Sequence, residues 1–332
     1  MKFHFEFDIK KPPVPVQHPQ RLLLVGSCFT ENIGEKLRLH KFETLENPNG
    51  ILFNPVSVAE AINTYIDDKK ISSSDLFEWN EGWHSWKHHS RYSATTKEEA
   101  VQRINESIHN AHLFLKSADQ LLITLGSAWT YTLTSDAANA AVGSVAANNH
   151  KAPASWFQRK LLNAENVIGL LQALIEKLLQ FNPHLQVIFT ISPVRHLREG
   201  AVDNNRSKAV LIQAVHQLVE ANPALYYFPA YELVIDDLRD YRFYAEDLVH
   251  PNYQATQYVW EKFVNACMPE ATRELMKQIA EINLAYHHKP FNAISQQHRK
   301  FLASFHAKAK ALEEKYSYLD FSKELEFFAR QV

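Results

Sequence analysis

Short apolar runs without helical period recur along this chain, and polar-rich stretches with helical spacing separate them. Residues 22–25 (Leu-Leu-Leu-Val), 121–125 (Leu-Leu-Ile-Thr-Leu), 186–191 (Gln-Val-Ile-Phe-Thr-Ile) and 225–228 (Leu-Tyr-Tyr-Phe) have the length and side-chain type of buried strands. A shorter candidate covers 42–45. Residues 3–7 alternate as a strand would, before Pro12, Pro13 and Pro15 impose an extended lead-in. Apolar positions at Val58, Ala59, Ile62, Tyr65 and Ile66 predict a helix over 56–66. Similar patterns predict helices over 31–40, 97–116, 156–180, 205–221 and 253–267. Asn47-Pro48-Asn49-Gly50 is a turn by composition. Strands alternating with helices of this length predict parallel βαβ units and a doubly wound α/β sheet, in which ligands bind beyond the carboxyl ends of the strands.

Two stretches break the alternation. Residues 75–95 interleave Phe77, Trp79, Trp83, Trp86 and Tyr92 with His84, His88, His89 and Arg91, too aromatic for a passive linker and too polar for core. They read as an insertion at about 70–95 that lies over the sheet edge. Beyond residue 269 the chain holds no glycine, Pro290 is its only proline, and Lys, Glu, Ala and Leu dominate. The chain therefore divides into an α/β domain, 1–268, and a helical C-terminal extension, 269–332. The extension could cover the domain, pair two copies of the chain or bind another partner. No internal repeat or low-complexity segment interrupts this plan.

Composition narrows the classes. With 46% hydrophobic and 22% charged residues, the chain has the balance of a soluble globular protein. A formal net charge of -2 argues against a general binder of nucleic-acid backbone. No apolar run approaches the roughly 20 residues that span a bilayer. The N-terminus lacks the continuous apolar stretch of a secretory leader, which makes the cytoplasm the expected location. Cys28 and Cys267 are too few for a disulfide framework or a thiolate zinc site. His84, His88 and His89 stand outside any metal-ligand spacing, so neither a metal nor another cofactor is expected.

Two short motifs carry candidate chemistry. Gly26-Ser27 ends the first core strand, where a serine gains exposure and neighbouring helix-start N–H groups. Serine in that position also commonly caps a helix, and the motif alone favours the cap. Far downstream, Asp247-Leu248-Val249-His250 spaces a carboxylate and an imidazole so that one can orient the other. A serine early and Asp-x-x-His late make Ser27 the candidate nucleophile, His250 the base and Asp247 its orienting acid. Cys28 adjoins Ser27 but points elsewhere on such a turn, and small-residue packing is its expected role. Arg195, His196 and Arg206 stand near a strand end and could bind an anionic part of a substrate or pair with Asp203, Glu232 or Asp236. His150 and Lys151 could do likewise. Trp79, Trp83, Trp86 and Tyr92 could form a sugar-stacking platform or a buried anchor for the insertion.

Several blocks together resemble the GSCFA-domain family: Gly26-Ser27-Cys28-Phe29, Asn47-Pro48-Asn49-Gly50 continuing to Asn54-Pro55, and Leu125-Gly126-Ser127-Ala128-Trp129. Further blocks are residues 147–153, 192–196, 204–208 and 243–251. Thr30 stands where the family name has Ala. The family is similar to the SGNH (GDSL-type) hydrolases, and the resemblance implies a flavodoxin-like three-layer α/β/α sandwich. It implies a Ser27–His250–Asp247 triad, with oxyanion donors from the Ser27 and Gly50 N–H groups. Ala128 stands where a donor asparagine is expected, so either another amide, such as Asn54 or Asn148, supplies that donor or the hole is built differently. Trp129, His150, Arg195, His196 and Arg206 become candidate substrate contacts. The expected activity is that of a serine esterase or acyltransferase on a small-molecule or carbohydrate ester. The alternative is a non-catalytic member that binds a glycan or a protein.

Overall fold

The computed structural model describes residues 5–139 and 141–330. Its centre is a parallel sheet of five strands: β1 (Arg21–Gly26), β2 (Glu43–Glu46), β5 (Gln120–Leu125), β8 (Gln186–Ile191) and β9 (Leu225–Tyr227). They lie in the order β2-β1-β5-β8-β9. Register aligns Gly26 with Thr124 and Leu125 with Ile191, so three strand ends meet along one edge.

Alternation along each strand fixes the layers. Leu23 and Val25 of β1, with Leu121, Ile123, Val187 and Phe189, join a core cluster formed with α2 (Pro55–Ile66), α3 (Lys97–Lys116), α4 (Ala164–Phe181) and α5 (Ala201–Ala221). Leu22, Leu24, Leu122 and Ile188 face the opposite cluster, closed by α1 (Cys28–Leu39) and α7 (Tyr253–Cys267). The fold is thus a three-layer α/β sandwich. A short helix, α6 (Ala230–Glu232), runs directly into a wide turn at Leu233–Leu238.

Two predictions of local structure are corrected. The stretch 156–180 is not one helix: Phe157–Leu161 is a strand, β7, paired antiparallel with β6 (Trp129–Leu133). The helix begins at Ala164, where the Asn163 side chain accepts the Asn166 N–H. The strand expected over 3–7 is absent from residues 5–7, and residues 3 and 4 lie outside the described residues.

The aromatic stretch contains a small hairpin, β3 (Phe77–Trp79) with β4 (Gly82–His84). It packs on the turn after β2, an edge strand: His89 donates its N–H to Asn49 O at 2.8 Å. Trp86 is buried and stacks on Phe77 with centroids 3.7 Å apart. At the C-terminus, α8 (Glu270–Tyr286), α9 (Gln296–Lys315) and α10 (Ser322–Arg330) share their own apolar cluster. They dock on the end of α1 through Lys41–Glu324, at 2.7 Å, and the Asn283 side-chain bond to Leu39 O. Among the described residues, no helix is long and apolar enough to cross a membrane.

Candidate active site

The Ser27 turn is built by backbone requirements. Gly26 has φ +145, and a Cβ there would lie 2.2 Å from Thr124 O, so only glycine lets β1 end so close to β5. Asn47 clamps the same point from the turn after β2: its N–H donates to Leu24 O and its Oδ1 accepts the Gly26 N–H, both at 2.8 Å. It does so with φ +45, a conformation asparagine tolerates. Ser27 then occupies the N-cap position of α1, yet its hydroxyl makes no cap hydrogen bond. The residue is 0% exposed, and Oγ has no hydrogen-bond partner among the described residues. Helix capping therefore does not explain this serine.

Asp247 and His250 do meet. His250 Nδ1 lies 2.7 Å from Asp247 Oδ2, while Asp247 Oδ1 accepts the N–H groups of Val249 and His250 at 2.9 and 3.0 Å. These bonds, the His250 side chain first, hold the Asp247 carboxyl down to about 2. Leu248 adopts φ +54 within this tight loop. Both side chains are about half exposed, and no hydrogen bond engages His250 Nε2 among the described residues. Ser27 and His250 do not hydrogen-bond to each other: the serine is sealed while the imidazole faces solvent. A cleft of about 440 Å³ opens between α2 and the insertion, lined by Ser57, Glu60, Thr64, Trp86 and His88, and does not include Ser27.

The Ser27 N–H donates to Thr124 O at 3.2 Å and the Gly50 N–H to Asn47 O at 2.7 Å, so both expected oxyanion donors are engaged. Asn54 caps α2, its amide bonded to the Ser57 N–H and hydroxyl at 2.9 and 3.0 Å. Asn148 Oδ1 accepts the His150 N–H at 2.9 Å. Arg206 pairs with Asp203 at 2.9 Å. Trp129 is buried, with the Arg159 guanidinium 4.0 Å from its ring centroid, and His150 is buried with Nε2 2.9 Å from Ser85 O. These two rings are committed to protein contacts rather than to an open cleft.

Arg195 tethers the acid–imidazole loop: its N–H donates to Val249 O at 3.1 Å and its guanidinium lies 4.1 Å from the Tyr244 ring centroid. His196 is largely buried beside Gly126 and edge-on to Phe53, with Nε2 unpartnered. Burial pulls its imidazole down to about 3, and the nearby Lys208 and His250 push the same way. His196 therefore lies between the loop and the sheet. Burial raises the Cys28 thiol above its ordinary value, which argues against a thiolate nucleophile.

Sequence reasoning passed over Ser207 and Lys208. Ser207 Oγ accepts the Ala128 N–H at 2.7 Å. The Lys208 ammonium donates to Gly126 O at 2.6 Å and Ser192 O at 2.7 Å, joining the ends of β5 and β8. The only signal in the sequence was their place in a block on α5. Among the described residues, no group of three or more His, Cys, Asp or Glu could hold a metal ion.

The GSCFA family model matches residues 21–263, and the model of the GSCFA domain protein C-terminal domain matches residues 279–332. No curated protein matches the chain. Among solved structures, a carbohydrate esterase family 3 protein from Talaromyces cellulolyticus is 10% identical over 79% of this chain and 99% of its own, with a TM-score of 0.36. An acetyl xylan esterase, Est2A, from Butyrivibrio proteoclasticus is 11% identical over 76% of this chain and 64% of its own, with a TM-score of 0.39. At such scores the likeness says nothing of activity.

Proposed function

We propose that this chain, which belongs to the GSCFA family, is a serine esterase or acyltransferase that works through Ser27, His250 and Asp247. The observation that carries the reading is the Ser27 hydroxyl, held at a strand end without a hydrogen-bond partner and without a capping role. A buried hydroxyl left unpaired costs stability, and functional sites are where such costs persist. The Asp247–His250 bond supports it by leaving Nε2 as the nitrogen able to take a proton.

In this mechanism the loop bearing His250 closes on the Ser27 turn. Ser27 Oγ attacks the ester carbonyl as His250 Nε2 takes its proton, and the carbonyl π electrons move onto oxygen. The tetrahedral anion collapses, the C–O bond to the alcohol breaks, and His250 returns the proton to the departing oxygen. Water or an acceptor hydroxyl then attacks the acyl-enzyme by the same steps in reverse. Asp247 fixes the ring and stabilises the imidazolium. A carbohydrate-linked O-acyl group is the proposed substrate class, supported by half-buried Trp79, Trp83 and Tyr92 on the insertion beside the Gly50 turn.

A second reading, a binding member without catalysis, is favoured by the sealed serine and the engaged Gly50 amide. Short p-nitrophenyl esters and a fluorophosphonate probe separate the two. A burst that disappears in Ser27→Ala, with the probe on Ser27 by mass spectrometry, supports the serine mechanism. Ester turnover equal in both proteins, or no label on Ser27, overturns it.

A further inference from the structure

Among the described residues, Lys208 is the only buried lysine. It is 1% exposed on α5, and its ammonium donates to two backbone carbonyls, Gly126 O and Ser192 O. No carboxylate pairs with it among the described residues. A buried ammonium without a counter-charge is costly even when two carbonyls accept its hydrogen bonds, and a neutral donor could serve those carbonyls at less cost.

Its position is the edge where Ser27 stands. The Ser27 N–H bonds to Thr124 O, two residues before the Gly126 carbonyl that Lys208 holds. Lys208 is also close enough to Cys28, the residue after Ser27, to interact with its thiol electrostatically. An ammonium has three N–H donors, and two are used. Among the described residues the Ser27 hydroxyl and one Lys208 N–H are therefore both unpaired and both buried, at neighbouring strand ends: β1 for the serine, β5 and β8 for the lysine. The amide donors expected for an oxyanion are engaged elsewhere, and Ala128 stands where a donor asparagine is missing.

We propose that Lys208 is a further catalytic residue of this site, whose ammonium stabilises the oxyanion of the carbonyl attacked by Ser27 in place of the absent asparagine amide. The inference rests on the serine reading given above. The titratable groups facing Lys208 among the described residues are Cys28 from α1, His196 from the segment after β8 and Tyr231 from α6, its ring 5.9 Å away. Burial draws Lys208 down to about 7, while it drives His196 to about 3 and raises Cys28 and Tyr231 above their ordinary values. Within this group, only Lys208 changes charge near neutrality.

The test is the pH dependence of fluorophosphonate labelling, whose phosphorus centre also develops an anionic oxygen. Wild-type labelling at Ser27 should fall as pH rises through about 7, where the ammonium loses its proton. Lys208→Met should slow labelling by about 10²-fold, the loss typical of one oxyanion donor, and should abolish the fall. Lys208→Arg should recover part of the rate and keep it level to pH 9. Label on Ser27 with no descending limb in wild type overturns this inference alone and needs no variant that folds. A folded Lys208→Met labelled at the wild-type rate does the same. Absence of label on wild-type Ser27 at any pH overturns the serine reading itself, and the role of Lys208 with it.

Discussion

Ser27 makes a prediction that a cap residue would not. A serine that caps a helix costs about 1 kcal/mol when replaced by alanine. Ser27 makes no cap bond and keeps its hydroxyl buried without a partner. Ser27→Ala should therefore leave thermal stability unchanged or raise it, while abolishing ester turnover. Differential scanning calorimetry beside the ester assay checks both halves, and a lowered melting temperature would restore the capping role. Asn47 should behave oppositely. Its Oδ1 is the acceptor for the buried Gly26 N–H, so Asn47→Ala strands that donor and should cost about 1–3 kcal/mol in urea denaturation. At this scale the sequence was legible where the signal is local. Gly26-Ser27 marks a strand end because an apolar run stops there, and the spacing of Asp247 and His250 puts the carboxylate within reach of the ring, a contact the fold makes at 2.7 Å. Asn47 and Lys208 were not legible, because each acts on backbone groups brought close only by the folded sheet, Gly26 in one case and Gly126 with Ser192 in the other.

The elements show the same division. The buried parallel strands were readable as apolar runs, since a strand covered on both faces needs no alternation. The stretch Phe157–Leu161 was not. Its apolar ends, Phe157 and Leu161, sit four residues apart and fit a helix as well as a strand. Pairing with Trp129–Leu133 decides the matter, and that partner is distant in sequence. A local signal was present in Asn163, whose side chain accepts the Asn166 N–H and starts α4. In the aromatic insertion, burial separates residues that composition alone could not. Trp86 is buried against Phe77 and donates its indole N–H to Ala138 O at 3.1 Å, whereas Trp79 and Trp83 stay half-buried. Trp86→Ala should accordingly cost about 3–5 kcal/mol, the range for emptying a large aromatic site. It should also loosen the insertion where His89 bonds Asn49 O. Denaturation and hydrogen exchange at residues 85–92 measure the two effects. A cost below 1 kcal/mol would show that the insertion does not depend on this ring.

Across the whole molecule, buried bases set how stability responds to pH. His18 and His150 are drawn down to about 4 by burial, and His88 and His196 to about 3. An unfolded histidine takes up its proton near pH 6.5. Between about pH 6.5 and pH 4 the unfolded chain thus binds more protons than the folded one, and stability falls as pH falls. Each such histidine adds up to about 1.4 kcal/mol per pH unit within its window. Lys208 acts at the other end. Its folded value of about 7 lies below the ordinary 10.5, so the unfolded chain again binds more protons above pH 7. Stability from this group rises from about pH 7 to pH 10 and is level below 7. Both windows slope the same way; Glu232, raised by burial, opposes them just above pH 4.5, and the raised Cys28 and Cys267 thiols oppose them towards pH 9. The melting temperature should therefore climb from about pH 5.5 to about pH 8 rather than peak near the sequence pI of about 6.8. His88→Gln should flatten the acid part, because that ring is the most deeply buried of the four. Lys208→Met should flatten only the alkaline part. Melting curves of wild type and both variants across this range test the assignment. A wild-type maximum near neutrality, or a Lys208→Met curve parallel to wild type above pH 7, would show that these buried groups do not carry the response.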